Sequence, residues 1–271
     1  MQVRFLQGVP FSLGGEIGRH KGLKIPRYNR RAGSTPARGT IISKSMFKRI
    51  KIDLKIPEAE THPQGRFYRT PEGKLYPSVT TVMSHASKES IKAWRERVGE
   101  EEANKISNQA ATRGTKIHDL CENVLLNNDI DTSNLSLLDK QMWDRFRPEL
   151  DRIDNIHAIE DPLYSNHLRM AGRVDCIAEW DGKLSVIDFK TSRKPKRKEW
   201  IDNYFMQCTS YAIMFEEMTG IPVSQIVVAI TVEGEQPQIF VEKRDNYTEK
   251  LLDLRLDYER FEKLYASVRF P

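Results

Sequence analysis

The order of apolar patterns along this 271-residue chain predicts a mixed α/β domain, a central mixed sheet flanked by helices. Three observations carry that prediction. Short runs alternate apolar and polar residues, longer runs with helical spacing lie between them, and an Asp181-Gly182 pair separates two β-rich segments. Hydrophobic residues make up 39% of the chain and charged residues 30%, which suits a globular domain with a well-solvated surface. No apolar run approaches the roughly 18 residues that cross a bilayer, so no membrane partner is expected. Cys121, Cys176 and Cys208 are far apart and show no CxxC spacing. That argues against a disulfide framework, a zinc knuckle or a cysteine-ligated iron–sulfur cluster, and a reducing cytosol is the expected setting.

Residues 1–45 differ in character from the remainder of the chain. They carry nine Lys and Arg against one acid, Glu16, leaving 34 basic and 37 acidic residues for positions 46–271. The net charge of +5 therefore belongs to this basic, non-globular leader and is no argument for nucleic-acid binding by the rest. Seven of the 15 glycines fall here, with Pro10 and Pro26. Three readings fit: a mitochondrial transit peptide, although no uninterrupted amphipathic helix is available; a disordered basic arm; or a misassigned start. For the third, Arg31-Ala32-Gly33-Ser34-Thr35-Pro36 resembles a translated transfer-RNA T-arm, and Met46 opens a credible strand.

From Met46 to residue 271 the pattern is regular. Ile50, Ile52, Leu54 and Ile56 alternate with polar residues and predict a half-buried strand over 47–56. Arg66-Phe67-Tyr68 and Lys74-Leu75-Tyr76 flank Pro71-Glu72-Gly73 as a hairpin would. Ser87 or Ser90 is placed to cap a helix running to about Lys105, and further helices are expected over 108–126 and 135–153. Strands are expected next at 156–164, 168–180 and 183–189, the last two joined by Asp181-Gly182, the strongest short hairpin signal. A helix over 198–219, strands over 223–232 and 238–242, and a helix over 248–268 complete the domain. On that last helix Tyr258, Phe261 and Tyr265 read as core.

The chemistry centres on Gly172-Arg173-Val174-Asp175 and Val186-Ile187-Asp188-Phe189-Lys190. Read as a hairpin, Asp175 lies on the first strand, and Asp188 and Lys190, two apart, share one face of the second. The spacing alone is weak and fits a solvated hairpin edge. The apolar runs around both acids make it stronger, because charges among apolar residues need a reason. A divalent ion supplies one, since hard cations take carboxylate oxygens and hold substrate phosphates. Phosphodiester hydrolysis needs such an ion, and an adjacent lysine can orient or deprotonate water or stabilise developing charge.

These stretches, Gly172 to Glu179 and Gly182 to Ser192, resemble the RecB-like branch of the PD-(D/E)xK nucleases, a branch that includes mitochondrial genome maintenance exonucleases and related phage exonucleases. Flanking matches run from Ser78-Val79-Thr80-Thr81-Val82 to Tyr211, and more loosely to the C-terminus. The resemblance implies a restriction-endonuclease-like core, Mg²⁺ or Mn²⁺ as cofactor, and DNA as substrate, a single strand with a free end. It makes Asp175 and Asp188 the metal ligands, completed by the Phe189 carbonyl and by His118 of Arg113-Gly114-Thr115-Lys116-Ile117-His118. Lys190 becomes the catalytic lysine, and Glu122, one turn beyond His118, a supporting partner. Gln207 and Tyr211 resemble a Gln–Tyr pair that orients substrate, and Glu160 lies near the matched region. The four cysteines that hold an iron–sulfur cluster in some branches have no counterpart, so no cluster is expected.

Arg193, Lys194, Lys196, Arg197 and Lys198 come directly after the lysine and read as a phosphate track, although charge runs are more often solvated loops. Trp94, with Arg95 and Arg97, reads either as a base-stacking residue or as a helix anchor. The reading is a metal-dependent DNA exonuclease acting in replication, repair or recombination. It is placed in the cytoplasm of a phage-infected bacterium ahead of the mitochondrial matrix. A structure-specific endonuclease and an inactive nucleic-acid-binding module of the same fold are the rival readings.

Overall fold

A computed structural model of the chain describes residues 46–269. The leader and its three readings lie outside the described residues, as does the side chain of Tyr265. Strands β1 (Glu58–His62), β2 (Gly65–Arg69) and β3 (Leu75–Pro77) form a small antiparallel sheet. Helices α1 (Val79–Val98), α2 (Glu100–Leu125) and α3 (Leu137–Phe146) come next, then a tight helical turn over Arg147–Arg152. The central sheet contains β4 (Ile153–Ile159), β7 (Cys176–Trp180), β8 (Lys183–Ser192), β9 (Gln225–Val232) and β10 (Gln238–Lys243). A two-stranded ribbon, β5 (Pro162–Ser165) with β6 (Met170–Arg173), interrupts it between β4 and β7. Helix α4 (Asp202–Thr219) joins β8 to β9, and α5 (Thr248–Arg269) ends the chain.

The central order is β10-β9-β8-β7-β4, with β8 and β9 parallel and the other neighbours antiparallel. A crossover helix is what a parallel pair requires, and α4 supplies it. Alternating side chains of β8 feed two cores. Val186 packs with Val79, Phe205, Tyr211 and Phe215 from α1 and α4, and Ile187 and Phe189 pack with Ile117, Cys121 and Phe146 from α2 and α3. Asp188 and Lys190 share the parity of Val186 and so face α4. Tyr258 is buried in the first core and Phe261 packs against it. Asp181 and Gly182 have φ of 50° and 79°, the left-handed pair that a two-residue hairpin turn demands.

Four boundaries depart from the sequence reading. Residues 47–56 are extended with alternating burial, but pair with the sheet only around Ile156, through the Ile50 amide at 2.7 Å. The facing edge of β4 is bulged between Asp154 and Ala158, which leaves no regular ladder to join. Helix α1 starts at Val79, capped by the Ser78 hydroxyl, which accepts from the Thr81 amide at 3.0 Å. Its β-branched first turn looks strand-like, but burial of Val79 and Val82 outweighs that weak preference. The break between helices falls at Gly99, whose φ of 91° suits glycine, and not near residue 106. Finally, the long strands expected over 156–164 and 168–180 each divide in two. Their gaps face one another, the Glu160 amide donating to the Asp175 carbonyl (3.1 Å) and the Val174 amide to the Asp161 carbonyl (3.1 Å).

Candidate active site

The paired gaps lift Glu160 and Asp175 out of the sheet ladder at the point where β8 carries Asp188 past them. Asp175 thus stands just before β7 and not within it. Its Oδ2 accepts from the Phe189 amide at 2.8 Å and lies 3.6 Å from His118 Nδ1. The other ring nitrogen of His118, Nε2, is 2.6 Å from the Phe189 carbonyl oxygen. His118, Glu160 and Asp175 each offer a ligand atom, and these atoms lie within 4.8 Å of one another. Burial first, and then the charge of Asp175, push the Glu160 carboxyl up to about 7, while His118 pulls it down. Glu122 adds a smaller upward push on Glu160, whereas the ring nitrogens of His118 face Phe189 and Asp175.

Asp188 is 1% exposed, and its Oδ1 is buried without a hydrogen-bond partner. The Lys190 ammonium donates to its Oδ2 at 2.5 Å. Burial raises the Asp188 carboxyl to about 6 against the pull of Lys190, and Asp175 adds to the rise. Asp188 and Asp175 in turn hold the lysine proton firmly, although burial opposes them. A buried carboxylate with one oxygen unpartnered, beside an imidazole and two further carboxylates, fits a hard divalent cation. The ligand set read from sequence is therefore only partly gathered. Asp175 and His118 meet with Glu160, Asp188 is engaged by Lys190, and the Phe189 carbonyl by His118. Glu160 was visible in the sequence only as a neighbour of the motif.

Helix α2 is fixed near His118 by charges that no local pattern reveals. Arg113 donates to Asp139 (3.1 Å) and Glu233 (3.1 Å), and Lys116 to Asp139 (3.3 Å), so α3 and the end of β9 hold the helix. On α4, Tyr211 is 2% exposed and pairs with Gln207, which is half-buried. A Cβ on Gly172 would lie 3.0 Å from the Tyr211 hydroxyl, which explains the glycine of Gly-Arg-Val-Asp. Arg193, Lys194, Arg197 and Lys198 are exposed and Lys196 is half-buried. Gln238 clamps this segment to β10, accepting from the Lys196 amide (2.6 Å) and donating to its carbonyl (3.0 Å). Lys198 pairs with Glu242, and Arg197 lies over the Trp200 ring at 5.1 Å. Trp94 is half-buried on α1. Cys121, Cys176 and Cys208 are buried free thiols.

Comparison with known proteins places these residues in a family context. Human mitochondrial genome maintenance exonuclease 1 is 28% identical over 131 residues, 45% of this chain and 38% of the relative. The mouse protein is 28% identical over 128 residues, 44% and 38% respectively. The match thus spans under two fifths of the length of these relatives. Their names are mitochondrial, the compartment the sequence reading ranked second, and nothing found supports the phage-infected host. Among the described residues no helix is long and apolar enough to cross a membrane. A solved structure of an exonuclease candidate from Eubacterium rectale aligns with a TM-score of 0.42 and 12% identity, over 58% of this chain and 68% of that one. The family model of the PD-(D/E)XK nuclease superfamily matches residues 82–265, a span that holds His118, Asp175, Asp188 and Lys190. With that match over more than half its length, the chain belongs to the PD-(D/E)XK nuclease superfamily.

Proposed function

We infer that the chain is a divalent-metal-dependent deoxyribonuclease that hydrolyses phosphodiester bonds from single-stranded ends. The observation that carries this reading is the buried Asp188 carboxylate, reached by the Lys190 ammonium alone and with Oδ1 unpartnered, beside the cluster of His118, Glu160 and Asp175. A bound Mg²⁺ or Mn²⁺ would neutralise phosphate charge and make the attacking water more acidic. Asp175, Asp188, His118 and the Phe189 carbonyl would hold it, with Glu160 a further carboxylate in the same cluster. Lys190 orients the water or stabilises charge on the phosphate being cut. The Arg193–Lys198 run guides the strand by its phosphates, while Gln207 and Tyr211 fix the shape of the pocket and Trp94 stacks a base. The setting is an aqueous compartment that holds DNA, and the relatives' names favour the mitochondrion over an infected bacterium.

The test is digestion of end-labelled linear single-stranded DNA with Mg²⁺, with Mn²⁺ and with EDTA. Short products with either metal and none in EDTA are expected. Binding without cleavage under all metals would instead support an inactive binding module.

A further inference from the structure

Tyr204, Gln207, Cys208 and Tyr211 recur on α4 at three- and four-residue spacing and so share one helix face. That face lies against the Asp188 side of β8. The charges of Asp188 and Lys190 are felt by the Cys208 thiol and the Tyr204 hydroxyl, and that of Asp188 by the Tyr211 hydroxyl. Tyr204 plays no part in the reading given above. Its ring centre nonetheless lies 5.4 Å from the Lys190 ammonium, within the range of a cation held over an aromatic face.

Apart from the charge of Asp175, the lysine thus has two neighbours of different kinds. Asp188 holds it by charge at 2.5 Å, from the same strand. Tyr204 holds it from α4 by its ring face. The two holds respond differently when the site is loaded. Asp188 is one of the carboxylates that would turn to a divalent ion, so its grip on the lysine is then shared. The ring has no competing charge to satisfy, and its attraction is strengthened by poor solvation, the Lys190 side chain being only 20% exposed. Burial also raises the Tyr204 hydroxyl above its ordinary value, so the ring stays neutral at working pH.

We propose that Tyr204 is a positioning residue, its ring face keeping the Lys190 ammonium over the cleavage point once Asp188 is engaged elsewhere. The role rests on the nuclease reading, but the contact can be tested apart from activity. Kinetics on linear single-stranded DNA would compare Tyr204→Leu and Tyr204→Phe, each in wild-type and Lys190→Ala backgrounds. Proton NMR would locate the Lys190 ε-methylene, assigned by its loss in Lys190→Arg.

Tyr204→Leu should lower kcat about tenfold, with KM and calorimetric Mn²⁺ affinity within about twofold. Tyr204→Phe should restore the rate, because it keeps the ring. In the Lys190→Ala background the Leu substitution should cost nothing further, since it acts through the lysine. The ε-methylene should be shifted upfield by the ring in wild type and Tyr204→Phe, and return to its ordinary position in Tyr204→Leu. A rate loss that persists without Lys190, a loss confined to KM, or full activity of Tyr204→Leu would overturn the proposal. So would an unshifted ε-methylene in the wild type, which needs no variant to fold. If the wild type cuts no DNA the nuclease reading falls, and the ε-methylene shift still decides whether the contact exists.

Discussion

At Asp188 the chain holds a charge that its own atoms leave undersupplied, and this sets the behaviour of the site. Asp188→Ala and Lys190→Ala should each reduce cleavage by about a hundred- to a thousandfold, the loss typical of removing a group that stabilises transition-state charge. Near-wild-type digestion by either purified variant would remove the assignment. The two should differ in stability, because Lys190→Ala strands a buried carboxylate whereas Asp188→Ala leaves the lysine near Asp175 and the Tyr204 ring. In EDTA, Lys190→Ala should therefore melt lower than Asp188→Ala. Glu160 gives a test with a pH sign. Its folded pKa, about 7, exceeds the ordinary value of 4.5, so the charged form is the disfavoured one. The resulting penalty is absent below about pH 4.5, grows between 4.5 and 7, and is complete above 7. Glu160→Gln should thus stabilise the metal-free protein by about 2 kcal/mol at pH 8, and hardly at all near pH 4.5. Mg²⁺ at pH 8 should erase or reverse the gain. Equal melting temperatures of variant and wild type in EDTA at pH 8 would show that Glu160 bears no such strain.

Among the elements, α2 carries His118 yet owes its position to partners far away in sequence. The Asp139 side chain is only 8% exposed and Arg113 18%, so breaking their pair leaves a largely buried carboxylate with Lys116 as its one remaining cation among the described residues. Arg113→Ala should cost about 3 kcal/mol and weaken Mn²⁺ binding at His118 by an order of magnitude, read by thermal melting and calorimetry. Unchanged Mn²⁺ affinity would detach this network from the metal site. The same network shows where sequence reading stops. Asp188-x-Lys190 and Asp181-Gly182 were legible because one strand's alternation and one turn's φ requirements are local. The three-way tie of Arg113, Asp139 and Glu233 spans 120 residues between its ends and leaves no spacing to read. Glu160 was hidden for a related reason. The stretch from Ile156 to Tyr164 reads as one strand only if Glu160-Asp161-Pro162 is passed over, and the positive φ of 50° at Glu160 with the facing gap at Asp175 shows that the strand breaks there. Residues 47–56 show the converse, where alternation correctly gives half-burial but cannot say whether a partner edge is free.

Across the whole molecule, the described core begins at Phe47, whose amide and carbonyl are both held by the Asn127 side chain. A chain of residues 46–271 should therefore melt cooperatively and digest DNA as the full chain does, and loss of either property would make the leader part of the working protein. Access to the site depends on a second feature of the whole. From Ser84 to Thr112, across the α1–α2 joint at Gly99, only Ala103 is buried. Two long helices held out in solvent with so little core, and leading directly to His118, are suited to wall a passage beside the metal site. Duplex DNA presents its phosphates on a cylinder about 20 Å wide, judged from its groove dimensions, whereas a single strand can thread such a passage. The cations of the Arg193–Lys198 run would then track its phosphates. Each contact with a single strand contributes about −0.7 to the slope of log affinity against log salt. Reversing Arg193, Lys194 and Arg197 to Glu should flatten that slope by about 2 and raise KM more than it lowers kcat. Threading also requires an end. Linear single strands should disappear while covalently closed circles of the same sequence persist at equal enzyme, and a single nick in the circle should restore digestion. Rapid cutting of intact circles would defeat threading and favour a structure-specific endonuclease built on the same metal site.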